Sequence, residues 1–140
     1  MIFMEIPDSV KKYRPSRQQL AVISSGIVSM GLEILAGRVL APEFGSTIYT
    51  WGSIIGISML ALSLGYHRGG KSAKEATDSH LDKFLIYTAA YIVFLTVAGD
   101  QILTLTSALP IGARYAPLIP VTLLFGPPTY FLGFISPYAV

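Results

Sequence analysis

Two carboxylates lie inside long apolar stretches of the chain, and they are the side chains best suited to a chemical role. Glu33 lies in the stretch 20–40, and Asp100 is the one charged residue in the stretch 84–109. A carboxylate in apolar surroundings is costly to ionise unless a cation, a proton or a hydrogen-bond donor compensates it. The sequence therefore predicts a cation or proton site that contains Glu33 and Asp100.

Hydroxyl groups accompany Asp100 at helical spacing. Thr96 and Thr104 lie one helical turn before and after it, on the same face of a helix. The helical neighbours of Glu33 are instead mostly small, and they include Gly26 and Gly37. A stripe of small residues lets another helix approach closely, so Glu33 is predicted to face protein.

In a second interpretation, the two acids do not form a cation or proton site. Glu33 then pairs with Arg38 of another protomer or hydrogen-bonds between helices, and Asp100 lies near the outer water. Arg38 itself is five residues from Glu33 and points to a different side of the helix, so the two cannot pair directly within one helix. Both interpretations remain open from the sequence.

The composition indicates that the long apolar stretches lie in a lipid bilayer. Hydrophobic residues make up 52% of the 140-residue chain and charged residues 13%, which is about half the usual share of a soluble domain. Roughly 20 apolar residues suffice to cross a bilayer, and backbone groups in lipid must be satisfied within each segment. We therefore expect an all-α integral membrane bundle, a multi-pass protein of the cell membrane, with four transmembrane helices at about 20–40, 48–66, 84–109 and 117–138.

The basic residues predict the orientation of this four-helix domain, 18–140. Most of the ten Lys and Arg residues precede the first span or follow the second, whereas the other two connections carry only Arg38 and Arg114. The positive-inside rule then places both termini in the cytoplasm, with residues 1–17 as a basic cytoplasmic tail. At a rise of about 1.5 Å per residue, Glu33 and Asp100 lie ~4.5 Å and ~6 Å beyond the midpoints of their spans, at similar depth.

The second and fourth spans carry small residues and prolines in distinct patterns. Gly52 and Gly56 have the spacing of close helix packing. The fourth span is predicted to be kinked or broken at 126–128, the sequence Gly-Pro-Pro, because proline removes a helical donor. A broken helix exposes carbonyls that can bind an ion or substrate, and a kinked helix that merely packs is the alternative.

The segment Gly65–Ser72 matches the phosphate-loop pattern G-x-x-x-x-G-K-S letter for letter. That loop requires a preceding strand within an α/β domain, and here an apolar span precedes it. We interpret the segment as a glycine-rich turn in which Arg68 and Lys71 anchor at the anionic inner surface. His67 and His80 lack metal-ligand spacing and are predicted to be surface residues.

The hairpin from about residue 24 to residue 71 resembles the N-terminal membrane domain of membrane-bound spermidine-synthase-like proteins, in which a major-facilitator-like membrane part is fused to a synthase domain. The motifs that carry the resemblance are Gly31-Leu32-Glu33-Ile34, Gly37-Arg38, Leu40-Ala41-Pro42, Phe44-Gly45-Ser46, Ile48-Tyr49, Trp51-Gly52, Leu64-Gly65-Tyr66 and Gly69-Gly70. The ending 133–140 is similar to the family's fourth helix. The resemblance places Glu33 and Arg38 in the family pattern and does not extend to Asp100.

The resemblance implies a polyamine as the cationic solute, but no part of the chain could form the family's aminopropyltransferase-type α/β domain. We therefore expect no enzyme activity from this chain alone, no catalytic residues and no cofactor or metal. Two functions follow as hypotheses: transport or reception of a cationic solute, or a membrane anchor that assembles with a synthase-like partner.

The predicted partners are the lipid bilayer and either a second copy of the chain or a further membrane or synthase-like segment. The last span stops at Val140 without an anchoring residue, so we expect either a fragment of a longer protein or domains supplied by a separate chain. The small net charge of +2 indicates no nucleic-acid partner. The absence of cysteine excludes disulfides and thiol chemistry.

Overall fold

The computed structural model describes residues 16–72 and 78–139, which are helical and contain no strand. The helices are α1 (Arg17–Phe44), α2 (Ile48–Ser72), α3 (Asp78–Ser107), α4 (Leu118–Leu124) and α5 (Gly126–Ile135), followed by a 3₁₀ turn at Ser136–Ala139. The all-α class expected from the sequence is confirmed. The predicted tail lies almost entirely in residues 1–15, outside the described residues.

Among the described residues, three helices are long and apolar enough to cross a membrane. Their candidate spans are Gln19–Phe44, Ile48–Ser72 and Asp82–Ser107, and the bent pair α4 and α5 would make a fourth if it is one span. The first two are longer than the predicted 20–40 and 48–66. This architecture is that of a membrane protein, as the composition indicated.

Helix α1 has well-defined ends. At its start Ser16 forms a capping box with Gln19: the Gln19 backbone N–H donates to Ser16 Oγ at 3.2 Å, and the Ser16 N–H donates to Gln19 Oε1 at 3.0 Å. At its end Gly45 has φ of 72°, a conformation that glycine adopts without a Cβ clash. Pro42 lies inside the last turn, and the helix ends at Phe44.

Helix α2 runs through the segment that the sequence predicted to be a turn. Gly65, Gly69 and Gly70 are all helical, and the helix continues to Ser72. Glycine is a poor helix former, but tertiary packing routinely overrides propensity. Here Gly65 and Gly69 are buried against α5, and that contact accounts for the extra helical turns.

The α2–α5 pair is the most extensive contact between helices in the described chain. A Cβ built on Gly133 would lie 2.8 Å from the Leu62 carbonyl oxygen, and one on Gly69 would lie 2.8 Å from the Phe134 carbonyl oxygen. A Cβ on Gly65 would collide with the Tyr130 carbonyl oxygen. The two backbones therefore touch, as small residues permit in membrane helices.

Helices α4 and α5 meet at an angle of 48° around Phe125. Pro127 and Pro128 begin α5 and lack backbone N–H groups, so they cannot continue the hydrogen bonds of α4. The bend at Phe125 directly precedes the Gly-Pro-Pro sequence 126–128. The surrounding core is apolar and is formed by Leu32, Ala36, Leu40, Ile54, Leu103, Val121, Leu124, Phe125, Leu132 and Ile135.

Helix α3 is the least buried of the long helices, with only 6% of its most apolar window inside the described chain. Its contacts with α5 are largely aromatic. Phe84 stacks on Phe134 with ring centroids 4.2 Å apart, and both Phe84 and Tyr87 lie 6.3 Å from the Phe131 ring. The helix therefore presents most of its apolar surface to its surroundings.

Candidate cation site between helices α1, α2 and α5

Glu33 lines a cavity of about 560 Å³ between α1, α2 and α5. The side chain is half-buried, and the cavity is open on the side of the exposed Ile27 and Met30. Its polar lining comprises Glu33, Ser25, Ser29, Tyr66 and Ser136. Leu62 and Leu132 are among the apolar residues that complete the wall.

The hydroxyl groups come from three different helical segments. Ser29 and Ser25 are on α1, one and two turns before Glu33, and both are buried. Ser25 Oγ donates to the Val22 carbonyl oxygen at 2.8 Å, which uses its proton and leaves its lone pairs free to accept. Tyr66 approaches from α2 and Ser136 from the turn after α5. Hydroxyl oxygens thus line the same cavity as one carboxylate.

The cavity extends along much of α1. It is lined from Val22, near the helix start, to Glu33, a distance of about 16 Å at roughly 1.5 Å of rise per residue. Tyr66 lies near the end of α2, and Ser136 follows α5, so both belong to the same end of the bundle as Val22. The cavity therefore leads from that end of the bundle to the middle of α1.

Asp100 lies elsewhere. It is exposed and lines a smaller cavity of about 270 Å³, bounded on α1 by Leu35 and Val39 and at the bend by Leu124 and Phe125. Leu35 and Val39 are on a different face of α1 from Glu33. The two carboxylates thus line different cavities, because α1 lies between them.

The two threonines predicted to join the site are both exposed on α3. Thr96 shares the smaller cavity with Asp100, and its Oγ1 donates to the Val93 carbonyl oxygen at 2.7 Å. Thr104 Oγ1 donates to the backbone carbonyl oxygen of Asp100 at 2.8 Å and not to its carboxylate. Neither threonine lines the cavity of Glu33.

The glycines predicted to pack helices have different surroundings. A Cβ on Gly37 would lie 2.6 Å from Cη2 of Trp51, so this glycine does allow α2 to approach α1. A Cβ on Gly26, Gly52 or Gly56 would have no atom within 4 Å, so within the described chain these three positions do not pack against a helix. On α2, close helix packing occurs instead at Gly65 and Gly69, because the face that carries them is turned toward α5.

The basic residues predicted to be anchors lie in the last turns of α2. The Arg68 Nη1–H donates to the Tyr130 hydroxyl at 3.2 Å, and Arg68 and Lys71 are both exposed. At the opposite end of α2, the guanidinium carbon of Arg114 lies 5.5 Å from the Tyr49 ring centroid. Charged groups thus mark both ends of the helix.

The site predicted from the sequence did not include four polar residues of the Glu33 cavity. Ser25 and Ser29 follow the helical period back from Glu33 and were accessible to a pattern search. Tyr66 and Ser136 line the cavity only because α2 packs on α5, and no local sequence pattern predicts that packing. Among the described residues, no group of three or more His, Cys, Asp or Glu side chains could hold a metal ion.

No protein-family model, curated protein or solved structure matches the chain.

Proposed function

We propose that the chain forms a polytopic membrane domain that binds a cationic solute at Glu33 and either transports it or passes it to a partner. The observation that carries this proposal is the cavity of about 560 Å³ whose lining combines hydroxyl oxygens with a single carboxylate. A primary or secondary ammonium group suits such a site, because it donates several hydrogen bonds and compensates the negative charge. A polyamine has this chemistry.

The proposed orientation places the cavity mouth on the cytoplasmic side. The basic residues Arg68 and Lys71 lie at the same end of the bundle as Val22, Tyr66 and Ser136. The positive-inside rule assigns that end to the cytoplasm, and the bent α4–α5 pair then counts as one span with both termini inside. The solute would enter from the cytoplasm and reach Glu33 near the middle of α1.

Binding of spermidine to the full chain in lipid nanodiscs tests the proposal. Replacement of Glu33 by Gln keeps the shape of the side chain and removes the charge, so we expect about tenfold weaker binding or more, from the loss of a charge-assisted hydrogen bond. Asp100→Asn, which alters a carboxylate in the other cavity, is the matched control and should leave the affinity unchanged. Equal losses in both variants, or no binding by the wild type, would refute a site at Glu33.

A second candidate function is a membrane anchor that assembles with a partner. The observation in its favour is that Gly52 and Gly56 keep an open small-residue face on α2, with no atom within 4 Å of a built Cβ. Another helix could pack closely there. Measurement of the oligomeric state in mild detergent, for the wild type and for Gly52→Leu, tests it: an unchanged monomer in both would refute assembly of copies through this face.

A further inference from the structure

A second groove of about 540 Å³ lies between α2 and the bent pair α4–α5, separate from the cavity of Glu33. Its walls are almost entirely apolar, with Ile57, Leu60 and Leu64 on one side and Pro127 and Phe131 on the other. Leu60 and Leu64 are 62% and 57% exposed, so the groove opens sideways. In a membrane-spanning bundle, that opening faces the hydrocarbon of the bilayer.

The positively charged side chain of Arg68 lies at one end of the groove. Arg68 lines it, and its Nη1–H donates to the Tyr130 hydroxyl, which holds the guanidinium beside the groove. The guanidinium carbon is also 5.8 Å from the Tyr130 ring centroid. Arginine has five N–H donors in a planar fork that suits phosphate, and the bond to Tyr130 uses one of them. Donors therefore remain for an anionic group at the groove end.

The length of the groove matches the hydrocarbon thickness of a single leaflet. From Ile57 to Arg68, α2 rises about 16 Å at roughly 1.5 Å per residue. A leaflet contributes about half of the ~30 Å hydrocarbon core. An acyl chain that lies along Leu64, Leu60 and Ile57 would thus place its headgroup phosphate at Arg68.

We propose that this groove binds one anionic phospholipid, with an acyl chain between α2 and α4–α5 and its phosphate on Arg68. The occupant is a lipid because the groove is apolar along its length, is open to the bilayer and carries one positive charge at the end where a headgroup would lie. Tyr130 is the positioning residue for Arg68. The site is independent of cation binding at Glu33.

Native mass spectrometry of the full chain in neutral detergent tests the lipid site, by titration with phosphatidylglycerol and with phosphatidylcholine of the same acyl chains. We expect the wild type to retain phosphatidylglycerol preferentially. Arg68→Gln should weaken this binding about tenfold or more, because a charge-assisted hydrogen bond is lost. Lys71→Gln is the matched control, since Lys71 is basic, exposed and outside the groove lining, and it should lose distinctly less.

A second pair of variants tests the groove itself. Thr122 is exposed, lines the groove, and donates its hydroxyl to the Leu118 carbonyl oxygen at 2.7 Å. Thr122→Phe should fill the groove and lower retention of phosphatidylglycerol severalfold. Thr104→Phe, an equally exposed threonine on α3 outside the groove, should not. Equal retention of both lipids by the wild type, equal losses in the Arg68 and Lys71 variants, or full retention by Thr122→Phe would each overturn the proposal.

Discussion

The phenol of Tyr91 on α3 donates a hydrogen bond to the backbone carbonyl oxygen of Leu123, at the end of α4. In an uninterrupted helix this carbonyl would accept the N–H of the residue four positions later, which is Pro127 and has none. A side chain from a neighbouring helix therefore supplies the donor that proline removes. Such compensation is what permits proline within membrane helices.

Replacement of Tyr91 by Phe should destabilise the protein by about 1 kcal/mol, because the Leu123 carbonyl loses its donor within a low-dielectric environment. Unfolding in a detergent mixture with increasing SDS measures the change. Tyr87→Phe removes a hydroxyl from an exposed tyrosine one turn away on α3 and serves as the control. A Tyr91→Phe variant as stable as Tyr87→Phe would contradict the role assigned to this bond.

Replacement of Gly65 by Ala should cost about 1–3 kcal/mol, because the added methyl group would collide with the Tyr130 carbonyl oxygen and force α2 and α5 apart. The same unfolding experiment measures it. Gly56→Ala is the matched control on the same helix, since a Cβ there has no atom within 4 Å. We expect the control to be neutral or slightly stabilising, as alanine favours a helix over glycine. Similar effects of both substitutions would argue against the close α2–α5 contact.

Gly37→Ala should displace the indole of Trp51, whose Cη2 would otherwise lie 2.6 Å from the new methyl group. The chain contains one tryptophan, so indole fluorescence reports on the surroundings of Trp51. We expect a shift of the emission maximum and a change in acrylamide quenching. Gly31→Ala, where a Cβ meets nothing within 4 Å, should leave the spectrum unchanged. An unchanged spectrum for Gly37→Ala would show that the ring does not lie across Gly37.

Ser29→Val should weaken spermidine binding by severalfold, because it replaces the hydroxymethyl side chain in the Glu33 cavity with a larger isopropyl group that forms no hydrogen bond. Titration in nanodiscs measures the affinity. Ser24→Val is the control, since Ser24 is on the same helix but is exposed and does not line the cavity. A loss in the control as large as that in Ser29→Val would indicate a general effect on α1.

The helices were predictable because long uncharged stretches in lipid can satisfy their backbone only as helices. The extension of α2 through Gly65 and Gly69 was not, because glycine favours a turn by local propensity and only contact with α5 reverses this preference. The separation of Glu33 from Asp100 also escaped prediction. Equal depth in the membrane follows from position along each helix, whereas the face that each acid presents depends on how the helices are rotated about their axes.

The close packing of Gly65 on Gly133 also constrains how the protein is made. Helices α3 and α4 separate the two glycines in the chain, so α2 must be synthesised and inserted well before its principal partner exists. During that interval the face of α2 that carries Gly65 lacks the helix against which it packs in the folded chain. Assembly of the bundle core is therefore a late step of biogenesis, and it depends on completion of α5.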